Sequence, residues 1–506
     1  MQKGCWKVNE DDEAIYIDID LADEESIDVE EKDDDYYSHW SELPDLLLER
    51  IFSQLNIRER YYASLVCRSW FRAFHLPGVW SNFSLTDQTL TRGRFNYYSG
   101  WQYVLDHLRT SVCLTKIGRH IRNLKFDPML NFYNLYEFMN MVSWFTEQAQ
   151  ALEEPRGQFE GVGINIKSLK FIFPCNMLAG NETERIRLFG TGGKLLEALK
   201  RLMCNLINMR RLELVNLLLD RIEAQHLLDE VCAKSCSQLR TLVLINTTKI
   251  FCPLLHVGVF LNLQTLIISP QNIDDDVIEL LGYTRLRNLH LVQNRYTPSD
   301  SSTMRPVSAR VWRQCRMNNR RLAVHLEVEA LREKELLWQE GAPVHSIIFE
   351  SPLIRLQPEV IIMAAQHYKD TLRKFGHKTL PHYYQPKKFH ERNDSLLLLM
   401  CRQCFLLNTL IVRERVSTAT VLLLAFNAKN LIHFYIRRNA VILRADWPQS
   451  PEWTSEFYKW LCTSSRSFDA VEREVSQILG YRWKMLTDKE FKNITDINVH
   501  SNGTML

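Results

Sequence analysis

Two cysteines in one apolar stretch have a spacing that suits redox chemistry or metal binding. Cys401 and Cys404 are separated by two residues, as in redox motifs and in half of a zinc site. A zinc site needs four ligands, and no second pair of cysteines or histidines lies at a suitable distance. The two cysteines also belong to an apolar, helical stretch. The sequence therefore predicts buried core thiols, with no metal and no cofactor.

The remaining candidates for chemistry have simpler interpretations. Cys67 and Cys315 each precede an arginine, a neighbour that favours a reactive thiolate. Neither has an acid–base partner in a recognisable order. The glycines of residues 190–193 precede a helical stretch, but they lack the spacing of a phosphate-binding loop. The sequence predicts no catalytic site in this chain.

Length and charge indicate how many structural units the chain has and how its charge is divided between them. The chain has 506 residues, which is long for one core, so we expect at least two structural units or a repeat array. The formal net charge is +2, but residues 1–35 carry a net charge of −12 and the remainder therefore carries +14. We expect residues 1–37 to form an acidic disordered tail. The same segment could instead fold back on the basic body.

Charge and hydropathy also narrow the range of partners. The Lys and Arg residues are dispersed and are not clustered with aromatic residues, so we do not expect nucleic acid as a partner. An acidic protein partner fits the basic body equally well. The sequence shows no apolar signal segment near its start, and the most apolar stretch, residues 396–412, is interrupted by Arg402 and Gln403. We expect a cytoplasmic or nuclear protein that does not contact membranes.

Residues 38–85 form a compact zone rich in large apolar side chains. Apolar residues recur at helical spacing after Pro44, and Pro77-Gly78 ends the helical pattern. Three short helices in fewer than fifty residues cannot bury this many large side chains among themselves. The sequence therefore predicts that part of this apolar surface is covered by another polypeptide.

Residues 90–490 repeat an apolar-x-x-apolar-x-apolar pattern, with a helical pattern between many of the copies. Start-to-start spacings of 23 and 24 residues occur where the copies are closest, within the range of leucine-rich repeats. We expect an α/β fold, a curved leucine-rich-repeat solenoid with an inner parallel sheet, followed by a C-terminal tail at 491–506. A doubly wound enzyme fold is disfavoured by the short period and the missing glycine fingerprint. The strongest copies are residues 121–126, 166–171, 209–214, 239–244, 263–268, 286–291, 344–349, 407–412 and 431–436.

The compact zone resembles the F-box family. The family pattern of Leu-Pro, then Leu, Ile-Phe and Leu, then Val-Cys-Arg-x-Trp and a late Trp occurs within residues 39–55, 63–70 and 79–80. This resemblance implies a three-helix module that binds the Skp-type adaptor of a cullin–RING ubiquitin ligase. The positions that it assigns to adaptor binding are Leu43, Pro44, Leu48, Ile51, Phe52, Leu55, Val66, Cys67 and Trp70. Leu65 and Ala63 are expected to hold the module together.

The body resembles leucine-rich-repeat F-box proteins, through scattered motifs such as residues 322–326 and 479–483. In that family the repeats capture a protein substrate. Because side chains alternate across a strand, polar residues between and after the apolar positions are expected on the inner face of the sheet. The candidates for substrate contact are Lys125, Lys170, Glu213, His290, His325, Glu350, Arg413 and Arg437.

Together these patterns indicate a non-catalytic substrate receptor of an SCF-type E3 ubiquitin ligase. Its F-box would bind the Skp-type adaptor, and through it the cullin and RING subunits, while the repeats bind an unidentified protein substrate. Two alternatives stay open. The chain could be a repeat scaffold whose F-box acts outside a ubiquitin ligase, or it could carry ubiquitin on a cysteine as a thioester.

Overall fold

The computed structural model describes most of the chain in two compact units, Met1–Val243 and Leu244–Leu506. The described residues are 39–97, 100–129, 131–153, 161–173, 193–235, 237–298, 304, 306–329, 336–428 and 430–494. The acidic segment 1–37 lies outside them, as does most of the C-terminal tail expected at 491–506.

The first unit begins with three short helices, α1 Asp45–Gln54, α2 Ile57–Ser64 and α3 Arg68–Phe74, and the starts of the first two are encoded locally. Pro44 precedes α1 with φ −57°, an angle that its ring enforces and that leads into a helix. Asn56 caps α2 because its side chain accepts the amide of Glu59 and the Glu59 carboxylate accepts the amide of Asn56. The elements are a 3₁₀ turn at His39–Glu42, α1 Asp45–Gln54, α2 Ile57–Ser64, α3 Arg68–Phe74 and a 3₁₀ turn at Pro77–Trp80.

Three strands follow in succession, and strands and helices then alternate through the rest of this unit. Apart from the antiparallel pair Thr91–Asn96 and Gly100–Leu105, each strand carries two or three buried apolar side chains, the pattern of a strand packed on one face. The boundary between the units falls within the strand Thr241–Ile245. The elements are β1 Asn82–Leu85, β2 Thr91–Asn96, β3 Gly100–Leu105, α4 His107–Ile117, β4 Asn123–Phe126, α5 Phe132–Glu153, β5 Ser168–Ile172, α6 Lys194–Asn205, β6 Arg211–Val215, α7 Arg221–Ser235 and β7 Thr241–Ile245.

The second unit continues the alternation with shorter helices and several 3₁₀ turns. Its elements are β8 Thr265–Ile268, α8 Asp275–Leu281, β9 Asn288–Gln293, α9 Ala309–Asn318, β10 Ala323–Val328, β11 Val344–Phe349, α10 Pro358–Tyr368, β12 Lys374–His377, α11 Asp394–Gln403, β13 Thr409–Val412, β14 Val416–Ser417, α12 Thr418–Asn427, β15 His433–Ile436, β16 Val441–Ile442, α13 Ser455–Ser464, α14 Phe468–Leu479 and α15 Asp488–Lys492.

Twelve of the described strands pair in parallel and follow the order of the chain. Within the first unit, Leu124 pairs with Leu169 and Leu169 with Leu212, so the repeated apolar positions align in rows. All three side chains are buried. The prediction of an α/β repeat fold, with helices joining parallel strands, is confirmed. Strands lie at the predicted copies, and β12 adds a further strand that is not among the copies named above.

The C-terminal end of the second unit returns to the sheet. The backbone amide of Arg438 donates to the carbonyl of Leu486, and the amide of Leu486 donates to the carbonyl of Ile436, so this segment extends the edge at β15. Helix α15 follows, and its Phe491 packs with Ile348 and Ile411 in one apolar cluster. The expected C-terminal tail at 491–506 therefore starts too early, because Phe491 and Ile494 are buried in this cluster.

Candidate functional site

The three-helix module has a small aromatic core. Leu48 and Phe52 of α1 are completely buried, and the Phe52 ring meets the Trp70 ring edge-on at 5.8 Å between centroids. The Phe74 and Trp80 rings pack in the same manner at 5.0 Å. The expectation that Leu48 and Phe52 contact an adaptor is therefore wrong for their side chains, because neither presents surface to a partner.

An arginine that the sequence patterns did not single out completes this core. The Arg60 guanidinium donates to the carbonyls of Phe52 and Leu55 at 3.0 and 2.9 Å, and to the carbonyl of Ser53 at 3.2 Å. These carbonyls lie at the C-terminal end of α1, where the regular helical amide partners run out and only Phe52 receives a capping bond, from the Leu55 amide. Burial lowers the pKa of Arg60, and the guanidinium also lies 5.2 Å from the centre of the Trp80 ring. Arg60 thus fixes α2 against the end of α1.

The same module exposes many large apolar side chains. Ile51 is 38% exposed and Val66 is 65% exposed, as expected of residues that contact a partner. Pro44 is also exposed, and four further predicted contacts are partly exposed: Leu43, Leu55, Cys67 and Trp70. The complete set of strongly exposed apolar residues, here called the exposed apolar set, is Trp40, Leu46, Leu47, Ile51, Tyr62, Leu65, Val66 and Phe71.

Several members of the exposed apolar set were missed or assigned differently from the sequence. Leu65 was expected to hold the module together, but it is exposed because it follows the last turn of α2. Leu46 and Leu47 were not predicted contacts. The sequence did indicate that some of them are exposed. Three consecutive leucines on a helix point in directions about 100° apart and cannot all face one core. Leu47 and Ile51 are four residues apart and share one face of α1.

On the sheet of the first unit, the predicted inner-face residues form an ionic row. Lys125 pairs with Lys170, and Lys170 pairs with Glu213, in the strand register. The Lys170 ammonium lies 2.8 Å from the Glu213 carboxylate, and the Arg211 guanidinium lies 2.6 Å from it. Burial raises the pKa of Glu213, but the two cations outweigh this effect and hold the pKa below its usual range. Lys125 and Lys170 keep exposed surface, whereas Glu213 is buried.

In the second unit, two predicted substrate contacts are buried in the sheet. The His290 ring stacks on the His325 ring with centroids 4.3 Å apart, and His290 Nδ1 lies 2.7 Å from the Glu327 carboxylate. His325 Nδ1 lies 2.7 Å from the Ser346 hydroxyl. Burial, followed by the neighbouring His290, lowers the pKa of His325 well below its usual value. Neither imidazole is accessible, so the prediction that they contact substrate is wrong.

Arg413 is also wrongly predicted, because its guanidinium is completely buried. It donates to the carbonyl of Ser351 at 2.9 Å and to the hydroxyl of Tyr383 at 3.0 Å, and it also binds the carbonyl of Ile354. The Glu414 carboxylate lies 3.1 Å from it and supplies the counter-charge. These bonds join the loops that follow β11 and β12, so Arg413 has a structural role.

The last two predicted contacts, Glu350 and Arg437, are engaged in ion pairs. Glu350 lies 2.9 Å from Lys378, and both side chains are partly exposed. Arg437 lies 2.9 Å from Asp488 at the start of α15. Arg437 therefore holds the C-terminal helix in place, whereas Glu350 keeps some surface for a partner.

Three buried cysteines, Cys315, Cys401 and Cys404, have pKa values shifted away from that of a reactive thiolate. Burial raises the pKa of Cys404 to about 12 and that of Cys315 to about 11, and it raises the pKa of Cys401 further. A nucleophilic cysteine needs the opposite shift. Over the described residues, no group of three metal-ligating side chains is placed to hold a metal ion. No helix in the described part of the chain has both the length and the apolar character needed to cross a bilayer.

The geometry of the N-terminal module agrees with its similarity to a known family. Residues 40–82 match the family model described as F-box domain. The N-terminal module is an F-box. The match covers this module and leaves the repeats unassigned.

The comparison with solved structures gives a weaker similarity over a longer range. The structure titled "Crystal structure of Rad7 and Elc1 complex in yeast" has a TM-score of 0.37 and 15% sequence identity, and the similarity covers 82% of this chain and 93% of that chain. No curated protein sequence matches the chain.

Proposed function

We propose that this chain is the substrate-recognition subunit of an SCF-type E3 ubiquitin ligase. The F-box binds a Skp-type adaptor, which connects the chain to the cullin and RING subunits, and the repeats bind a protein substrate. The observation that carries the proposal is the exposed apolar set on a module that matches the F-box family. A group of exposed apolar side chains on a monomer is typical of a site that binds another protein.

The energetics of the exposed apolar set agree with tight adaptor binding. Each large apolar side chain that is fully removed from water contributes about 1.5–3 kcal/mol. The eight members, partly covered already, can together exceed the loss of translational and rotational freedom, which is on the order of 4–15 kcal/mol. The role in ubiquitination is then positional, since holding a substrate near a charged ubiquitin-conjugating enzyme raises its effective concentration.

We further propose that substrate is held on the sheet face of the first unit. Lys125 and Lys170 are register neighbours there, and both ammonium groups retain exposed surface. Each already has one carboxylate partner, Asp127 at 2.6 Å and Glu213 at 2.8 Å. An acidic segment of a substrate can therefore approach this row without leaving a buried charge unpaired.

We further propose where the chain acts, which residues each domain spans and which known repeats the body resembles. The chain acts in the cytoplasm or nucleus, where cullin–RING ligases operate. The domain limits are 38–85 for the F-box and 90–490 for the repeats, the latter extended to 494 by the buried C-terminal cluster. The repeats are of the kind found in F-box only protein 33, on the strength of the motifs at 322–326 and 479–483.

Adaptor pull-down from cells tests the ligase proposal. The variant Leu43→Ala with Pro44→Ala should lose the Skp-type adaptor and the cullin together, while the repeats stay folded. Leu108→Ala is a matched control, because Leu108 is exposed on α4 outside the F-box. Adaptor binding without cullin or ubiquitinated products would instead favour a scaffold whose F-box acts elsewhere. A reducible ubiquitin adduct on the chain would favour a thiol enzyme.

Substrate capture tests the second half of the proposal. Affinity purification with the cullin inhibited should enrich proteins that are lost with Lys125→Glu and Lys170→Glu, while the adaptor still binds. Lys369→Glu with Lys388→Glu makes the same charge change at two exposed positions of the second unit. Equal loss of captured proteins in both variants would show that the row of the first unit has no special role.

A further inference from the structure

The hairpin of β2 and β3 has two chemically different faces. The strands are antiparallel, with Phe95 opposite Trp101 and Gly93 opposite Tyr103. Side chains alternate across a strand, so these three aromatic residues share one face. The rings of Phe95 and Trp101 meet edge-on at 5.6 Å between centroids. The opposite face carries Arg92 and Arg94, both of which are exposed.

This hairpin lacks the cover that its aromatic face requires. Phe95 is 60% exposed and Trp101 is 75% exposed, and Tyr103 is exposed as well. Among the described residues the ribbon contains only these two strands. A two-stranded ribbon with an exposed apolar face and open edges is marginally stable and tends to accept a further strand.

One edge of the ribbon is already occupied, which leaves the other for pairing. The side chain of Asn134 accepts the amide of Leu105 and donates to the carbonyl of Tyr103, so these groups of β3 point away from β2. In an antiparallel pair, opposing residues point their backbone groups in the same sense, either toward each other or outward. The backbone groups of Gly93 and Phe95 therefore point outward along β2.

The sequence contains a segment with the complementary pattern. Residues 15–21 alternate strictly between apolar and mostly acidic positions, which is the period of a strand. This segment lies outside the described residues. The apolar positions are Ile15, Ile17, Ile19 and Leu21, and the positions between them are Tyr16, Asp18 and Asp20.

We propose that residues 15–21 add to the outer edge of β2 as a third strand of the hairpin. The isoleucines cover the aromatic face, and Asp18 and Asp20 lie on the face of Arg92 and Arg94. The seven residues match the six-residue length of β2. The seventeen residues between Leu21 and His39, where the described chain begins, can span roughly 60 Å, so the tether imposes no strain.

The tether also makes a weak contact sufficient. A short flexible link gives an effective concentration on the order of millimolar. A strand that would bind the hairpin only weakly as a separate peptide is therefore mostly docked when it is part of the same chain. The contact accounts for an acidic segment on a basic chain without requiring any other partner.

Residue-resolved hydrogen exchange on the full chain tests this assignment. The amides of Gly93 and Phe95 should exchange about tenfold more slowly in the wild type than in the variant Arg92→Glu with Arg94→Glu. The amides at 92 and 94, which face β3, serve as an internal control and should change little. Protection of residues 15–21 should disappear in the same variant. Arg320→Glu with Arg321→Glu, an exposed pair in the second unit, should leave both regions unchanged.

Charge exchange separates pairing from a simple loss of the hairpin. Adding Asp18→Arg and Asp20→Arg to the Arg92→Glu, Arg94→Glu variant should restore protection at both segments. Failure of that restoration, or wild-type residues 15–21 that exchange at the unprotected rate, would overturn the proposal. Protection at Gly93 that rises over a tenfold range of protein concentration would identify a second copy as the occupant, which would overturn it equally.

Discussion

Mutations at two neighbouring residues of α1 should affect different properties of the chain, mainly adaptor affinity at one and mainly folding stability at the other. Ile51 is 38% exposed, whereas Phe52 is completely buried. Replacing Ile51 and Val66 together with alanine removes about five methylene equivalents at about 0.8 kcal/mol each. Scaled by the exposed fractions of 38% and 65%, the loss at the adaptor interface is about 2 kcal/mol. This corresponds to a Kd for the Skp-type adaptor that is roughly thirtyfold higher. The remaining, buried fractions contribute to the fold, so the free energy of unfolding should fall by about 1.5 kcal/mol for Ile51→Ala and by about 0.6 kcal/mol for Val66→Ala.

Phe52→Ala provides the contrast. It removes a ring packed against Trp70 and leaves a cavity, so the free energy of unfolding should fall by about 3–5 kcal/mol. Calorimetric titration of the full chain with purified adaptor gives the Kd, and urea unfolding followed by tryptophan fluorescence gives the stability. Leu108→Ala should alter neither. A Kd that stays within threefold of wild type for the folded Ile51→Ala, Val66→Ala chain would refute the reasoning.

Three further predictions concern stability. Arg60→Lys should lower the free energy of unfolding of the F-box by about 2 kcal/mol, because an ammonium cannot bond all the carbonyls at the end of α1; urea unfolding checks it. Burial raises the pKa of Asp394 to about 6, despite the Arg392 guanidinium 2.6 Å away. Its native pKa thus exceeds the unfolded value, so this proton stabilises the fold below pH 4 and the benefit is lost as pH rises to about 6; pH-dependent melting should lose this slope in Asp394→Asn. Phe491→Ala should expose Ile411 and speed hydrogen exchange in β11 and β13 at least tenfold, and unchanged exchange would contradict the role given to α15.

The repeat strands were predictable from sequence because their physical cause is local. A strand packed on one face must place apolar side chains at fixed intervals, and Leu124, Leu169 and Leu212 satisfy that requirement within single copies. The F-box was predictable for a related reason, since its helix starts depend on Pro44 and on the pairing of Asn56 with Glu59.

The accessibility of the predicted contacts was not predictable, because it depends on segments that are distant in the chain. His290 and Arg413 follow the alternation rule, which specifies a face but not what covers it. Arg413 is enclosed by loop carbonyls about sixty residues away. The β2–β3 hairpin was missed for a different reason. Its alternation is of aromatic and arginine residues, which do not form the buried pattern of the repeat strands.

The two units differ in what their sheet faces can bind, and the difference follows from one row of residues in each. In the first unit the row through Lys125, Lys170 and Glu213 is ionic and keeps two exposed ammonium groups. In the second unit the row through Ile348 and Ile411 is apolar, and α15 of the same chain already covers it. Packing of α15 on this apolar row removes Ile348 and Ile411 from water. A partner would have to displace Phe491 to reach them. The ionic row needs no such displacement, so we expect the substrate to bind on the sheet face of the first unit.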